Sequence, residues 1–157
     1  MRSKPISTLL FALLLVGSSA ALLADGGFPK DCAGTYLNQE GSGAQSIWTL
    51  GADGSFLGES STQEVFNFSG QQGTWESDGS AGAKGVFLDF SFDAGGALLN
   101  IGRVDVVLHR VGHDCAKIAG SFSLRFFTAG EDPLDPASDT GTPITDTFTG
   151  RRLTVAH

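Results

Sequence analysis

Gly85-Val-Phe-Leu-Asp-Phe-Ser-Phe92, then Asp93-Ala-Gly-Gly96, then Ala97-Leu-Leu-Asn-Ile-Gly-Arg-Val-Asp-Val-Val-Leu-His109 is two runs of alternating side chains joined by turn residues. Such a pattern reads as a β-hairpin, because successive strand residues face opposite sides and glycine reaches the backbone angles of a tight turn. The same texture continues in both directions. Period-two patterning and turn residues predict eight strands, at 33–38, 45–51, 54–61, 71–77, 85–92, 97–109, 115–128 and 144–155. No stretch carries helical apolar spacing long enough to compete.

The connections Gly51-Ala-Asp-Gly54, Asp93–Gly96 and Val111-Gly-His-Asp114 are short, so neighbouring strands are expected to run antiparallel as an up-and-down meander. A flat meander of this length would leave two open edges. Closing it into an eight-stranded antiparallel β-barrel removes them, and that all-β barrel is the fold expected. The alternation places Val86, Leu88, Phe90 and Phe92 inside, followed by Leu98, Val104, Val106 and Leu108, then Ile118, Phe122, Leu124 and Phe126. Asp89, Ser91, Arg103, Asp105, Ser121, Ser123 and Arg125 fall on the outer face in this reading. Twelve phenylalanines against two tryptophans and one tyrosine imply an apolar lumen with few hydrogen-bonding aromatics. Residues 61–70 and 129–143 break the pattern and read as loops; the second is rich in proline and carboxylates and is a candidate lid.

Residues 1–24 begin with Arg2 and Lys4, run through an apolar core from Leu9 to Val16, and end in small residues at Ala20, Ala21 and Ala24. This is the pattern of a secretory signal peptide, too short in its apolar core to span a bilayer. Its removal leaves about 133 residues, 25–157, enough for a single barrel domain with one core, secreted or periplasmic and without membrane insertion. The net charge of −7 becomes two units more negative when Arg2 and Lys4 leave with the signal. Nucleic acid is excluded as a partner, since phosphate binding needs clustered basic residues and Arg151-Arg152 is a small patch. Cys32 and Cys115 are the two cysteines, and export implies that they pair as a disulfide.

Cys32-Ala-Gly-Thr-Tyr-Leu-Asn-Gln-Glu-Gly-Ser42, followed by Ile47-Trp-Thr-Leu-Gly-Ala-Asp-Gly-Ser-Phe-Leu-Gly58, resembles the opening of avidin-type proteins, and Thr145-Asp-Thr-Phe-Thr149 resembles their last strand. The resemblance implies a closed eight-stranded barrel in which Asn38 and Ser42 meet the oxygen side of a urea-like group and Asp146 accepts its N–H. Where avidin-type sites carry tryptophans this chain has Phe90 and Phe122, Ser60 stands at the tyrosine position, and no tryptophan follows Trp75. Phe90-Ser-Phe-Asp-Ala-Gly-Gly-Ala-Leu98, Gly102-Arg-Val104 and Phe148-Thr-Gly-Arg-Arg-Leu153 also resemble small exported bacterial calycin-like barrels, a likeness that carries fold without chemistry. Avidin-type barrels pair or form tetramers, so the resemblance admits a homo-oligomer.

Chemistry-bearing candidates are few. His109, His113, Asp114 and Cys115 do not have the helical spacing that aligns metal ligands. Glu131, Asp132, Asp135 and Asp139 offer calcium-type oxygens without an EF-hand order. Arg103, Asp105, Asp89 and Arg125 read as an exterior charge network, and Asn67-Phe-Ser69 fits a glycosylation sequon. The expectation is a barrel binding a small, mostly apolar ligand in its lumen, with Leu88, Phe90, Phe122 and Phe126 as walls and Asn38, Ser42 and Asp146 as polar contacts. No cofactor is implied. Three other readings stand beside it: a cofactor-independent isomerase or cyclase using Asp146 or Asp105, a structural or oligomeric barrel without ligand, and a degenerate avidin-like biotin binder.

Overall fold

The computed structural model describes residue 28 and residues 30–79, 82–138 and 141–155; the expected signal peptide, 1–24, lies outside them. Eight strands form one closed sheet: β1 (Gly34–Glu40), β2 (Gln45–Leu50), β3 (Ser55–Ser60), β4 (Gln71–Ser77), β5 (Gly82–Phe92), β6 (Leu98–Arg110), β7 (Lys117–Phe127) and β8 (Ile144–Arg152). Each pairs antiparallel with the next, and β8 returns to β1 in a register running from Tyr36 opposite Arg152 to Glu40 opposite Phe148. The fold is the up-and-down barrel that the turn spacing implies. Among the described residues helix is confined to one turn of α-helix, α1 (Gln63–Phe66), and two 3-10 turns at Lys30–Cys32 and Pro136–Ser138.

The tight turns are held by aspartates. The Asp53 carboxylate accepts the Ser55 amide (3.0 Å) and hydroxyl (2.7 Å), and Gly54 takes φ 90° beside it. Asp93 accepts the amides of Gly95 (2.8 Å) and Ala97 (2.9 Å), with Gly96 at φ 83°. Both are Asx-type turns, in which a short side chain replaces a backbone acceptor and glycine supplies the left-handed residue.

One end of the barrel is sealed. Cys32 and Cys115 form the expected disulfide, with Cα atoms 5.1 Å apart, and the Tyr36 hydroxyl donates to the carbonyls of both cysteines (2.8 and 3.1 Å). A disulfide persists in oxidising compartments, which accords with a location outside the cytoplasm. Phe28 sits edge-on to Trp75 with ring centroids 5.8 Å apart, and the Trp75 indole donates to the Gly51 carbonyl (2.8 Å). Arg152 folds across Gly34 to donate to the carbonyls of Asp31 (3.1 Å) and Ala33 (2.5 Å). Above this seal Trp48 is the hub of the core, edge-to-face with Phe56, Phe87, Phe122 and Phe148 at 5.5, 5.7, 6.5 and 4.5 Å. The sealed half of the lumen is therefore filled with side chains, in ring geometries that favour packing.

The phase of β5 is the reverse of the sequence expectation. Phe87, Asp89 and Ser91 face inward and are buried, while Val86, Leu88, Phe90 and Phe92 take the outer face. Val86-Phe87-Leu88 is apolar on both sides, so period two fixes no phase there; the register does, setting Phe87 opposite Val104 and Asp89 opposite Gly102 on the inward set of β6. Asp89 is consequently not part of the outer network with Arg103. The strands β6 and β7 keep their expected phase at Val104, Val106, Leu108, Ile118, Phe122 and Leu124, whereas Leu98, at the start of β6, is 58% exposed.

Segment 61–70 is more ordered than a wide loop. After α1, Asn67 adopts φ 50° and its side-chain amide donates to the carbonyls of Phe92 (3.1 Å) and Asp93 (2.9 Å), while Phe68 bridges Ser91. The sequon asparagine thus straps the loop across the end of β5.

Candidate ligand-binding site

The end opposite the seal is a mouth, and the inner wall changes character on the way to it. Beyond Trp48 the inward positions are Asn38 and Glu40 on β1, Ser46 on β2, Gln71 on β4, Asp89 and Ser91 on β5, Asn100 on β6 and Asp146 on β8. On β7 the inward Phe122 and Leu124 pack against the core and are only partly buried.

Three buried polar atoms here lack a partner: Asn38 Oδ1, Trp48 Nε1 and Asn100 Oδ1. Asn38 is fully buried; its Nδ2 donates to Ser46 Oγ (3.4 Å), and its Oδ1 lies over Gly150, where any Cβ would collide with it. Asn100 stands opposite Ser91 in the register. Buried polar atoms without partners are costly and rare, so three in one half of a barrel call for explanation.

The carboxylates divide by environment. Asp89 is 5% exposed, accepts the Gln71 side-chain amide (3.1 Å) and the Gly102 amide, and burial holds its pKa above the usual carboxylate range. Gly102 makes this possible, because a side chain there would strike the Asp89 carboxylate. Glu40 is also raised, first by burial and then by the nearby charge of Asp146, against a lowering hydrogen bond from Ser46. Asp146 goes the other way: the amides of Ser42 (2.8 Å) and Thr147 (2.7 Å) donate to it and keep it ionised below the ordinary range. It clamps the β1–β2 turn against β8.

The structure brings together four of the residues nominated from sequence. Phe122 is opposite Asp146, Asp146 holds Ser42, and Asn38 lies on the adjoining β1. Phe126 has inward parity at the rim and is 41% exposed. Leu88 and Phe90 are on the outer wall, with Phe90 49% exposed, so they do not line the lumen. Sequence reading missed Glu40, Trp48, Gln71, Asp89, Ser91 and Asn100. The alternation Tyr36, Asn38, Glu40 and Ser46, Trp48, Leu50 carried a usable signal for two of these, Glu40 and Trp48; Asp89 had none, because its flanks are apolar on both faces.

Other nominated groups are occupied or elsewhere. Glu131 accepts the Thr128 hydroxyl (2.9 Å), Asp132 the Leu134 amide (2.9 Å) and Asp135 the Ala137 amide (3.0 Å), so these carboxylates shape their own loop; Asp139 lies outside the described residues. Arg103 pairs with Asp105 (2.7 Å) on the outer wall and donates to the Pro133 carbonyl (2.8 Å), pinning that loop to the barrel. His109 and His113 are exposed at the sealed end. A shallow groove of about 630 Å³ runs over the outer wall past Val107, His109, Ser121 and Thr147. Among protein-family models, curated proteins and solved structures, none matches this chain.

Proposed function

We propose that the barrel, exported to an oxidising compartment, binds a small organic molecule in its mouth half. The apolar part of the ligand lies on Trp48, Phe122 and Leu124, and its polar atoms meet Asn38 and the Trp48 indole. The observation that carries this reading is the pair of unpartnered buried atoms, Asn38 Oδ1 and Trp48 Nε1, beside the partly buried inward side chains of Phe122 and Leu124. A buried acceptor and a buried donor without protein partners are groups whose cost a bound ligand removes. The avidin-type resemblance of 32–58 and 145–149 supports the same end of the barrel.

Native mass spectrometry of the protein purified gently from the exported fraction of its own host tests the reading. A discrete extra mass is expected, lost in Asn38→Leu, which fills the site and removes the acceptor. Empty subunits that stay empty after incubation with biotin and a lipid extract would overturn it in favour of a packed structural barrel. The buried carboxyl of Asp89 favours a second reading, a cofactor-independent proton-transfer enzyme, since a raised carboxyl pKa suits a general acid. Product formation from the bound compound that disappears in Asp89→Asn would support it.

A further inference from the structure

We propose that the molecule held in the mouth is an organic cation, a primary amine or amidine on an apolar body; this rests on the lumenal binding reading. The argument starts from where the charges are. From Asp31 to Ala83, and again from Phe126 to Gly150, the chain contains no Lys, Arg or His. Those stretches build β1 to β4, most of β8 and three of the four loops at the mouth; the fourth, residues 93–97, has no basic residue either. Lys30, Lys84, Lys117, His109, His113 and the Arg110, Arg151 and Arg152 guanidinium groups collect toward the sealed end, while Arg103 and Arg125 have outward parity. A cleft lined by one sign of charge draws in the opposite sign.

Inside that field Asp89 and Glu40 hydrogen-bond to neutral groups: the Gln71 and Gly102 amides for the first, the Ser46 hydroxyl for the second. A carboxylate withdrawn from water without a cation is expensive, and an entering ammonium ion offsets that cost. The unpartnered atoms give a second, independent indication. The third of them, the Trp48 Nε1 donor, is left for an acceptor on the ligand's body; the other two, Asn38 Oδ1, fully buried, and Asn100 Oδ1, are acceptors. With the carboxylates they ask for a ligand rich in donors; an ammonium group has three and no acceptor. The carboxyls are spread over β1, β5 and β8, and among the described residues no cluster of three or more His, Cys, Asp or Glu has the arrangement to hold a metal ion. That favours an organic cation over a metal.

The test is calorimetric titration at low salt with butyl-, hexyl- and phenethylammonium, each beside its matching alcohol and carboxylate, with Trp48 fluorescence followed in parallel. At least one ammonium is expected to bind about tenfold or more tighter than its alcohol. Asp89→Asn and Glu40→Gln should each reduce that preference, and added salt should weaken the amine more than the alcohol. If alcohols bind as tightly as amines, or carboxylates bind better, the cation proposal fails while lumenal binding stands. If nothing in the panel binds or moves the fluorescence while the host-purified protein carries a neutral or anionic mass, the cation proposal again falls alone. Empty protein in both experiments removes lumenal binding and the proposal with it.

Discussion

Asp89 occupies its place because Gly102, directly opposite, has no side chain. Burial raises its folded-state pKa above the unfolded value, so the folded protein holds a proton that the unfolded chain has lost between those two values. Stability contributed at this position is therefore present at low pH and falls as pH rises through the folded pKa. Asp89→Asn keeps an oxygen for the Gln71 amide and removes the ionisation. It is expected to raise Tm at pH 7 by about 3 °C, on the order of 1 kcal/mol, with the gap closing below about pH 4. Thermal melts of the two proteins across pH check this; equal Tm values at pH 7 would mean the carboxyl is not penalised. No sequence rule places this residue inside, because a charged residue between Leu88 and Phe90 reads as solvent-facing. What turns it inward is a cross-strand partner 13 residues away in sequence, Gly102. Asn38, by contrast, was named through the avidin-type resemblance of 32–42, and its strand sets it on one face with Tyr36 and Glu40.

Strand positions were legible to within a few residues: β4 was expected at 71–77 and spans Gln71–Ser77, and β8 stops three residues short of its expected end. Turn chemistry carried that information, because Asp-Gly and Gly-Gly steps mark where the chain must reverse. The strap over β5 was not legible. A single helical turn such as α1 is too short for its periodicity to register, and the clamp from Asn67 depends on two carbonyls 25 and 26 residues further on. The clamp has a separable test. Asn67→Gly removes the side-chain hydrogen bonds and tolerates φ 50°, whereas Asn67→Ala removes them and adds left-handed strain of about 1 kcal/mol. Hydrogen exchange over residues 61–70 should quicken in both variants, and the urea midpoint should drop further in the alanine variant. Unchanged exchange would show that the strap is held by something other than Asn67.

At the scale of the molecule the two ends of the barrel divide the labour: covalent and aromatic closure at one, polar and acidic wall at the other. The disulfide joins residues 83 apart in sequence, and in the chain-entropy view its loss costs about 4.5 kcal/mol. Replacing Cys32 and Cys115 together by Ser is expected to lower Tm by about 15 °C while leaving the Trp48 core intact by near-ultraviolet dichroism. A drop of only a degree or two would mean that Phe28, Trp75 and Arg152 suffice as a seal. The same bridge governs how the protein would answer a mechanical load. Residues 28 and 155 both leave from the sealed end, so tension between them passes from Cys32 straight to Cys115 and bypasses 33–114. Only the β7–β8 hairpin lies in the force path, and antiparallel strands pulled from one end part rung by rung. Stretched one molecule at a time, the oxidised protein should release roughly 140 Å of chain at low force, against roughly 440 Å once reduced; most of the barrel would ride out the pull unextended.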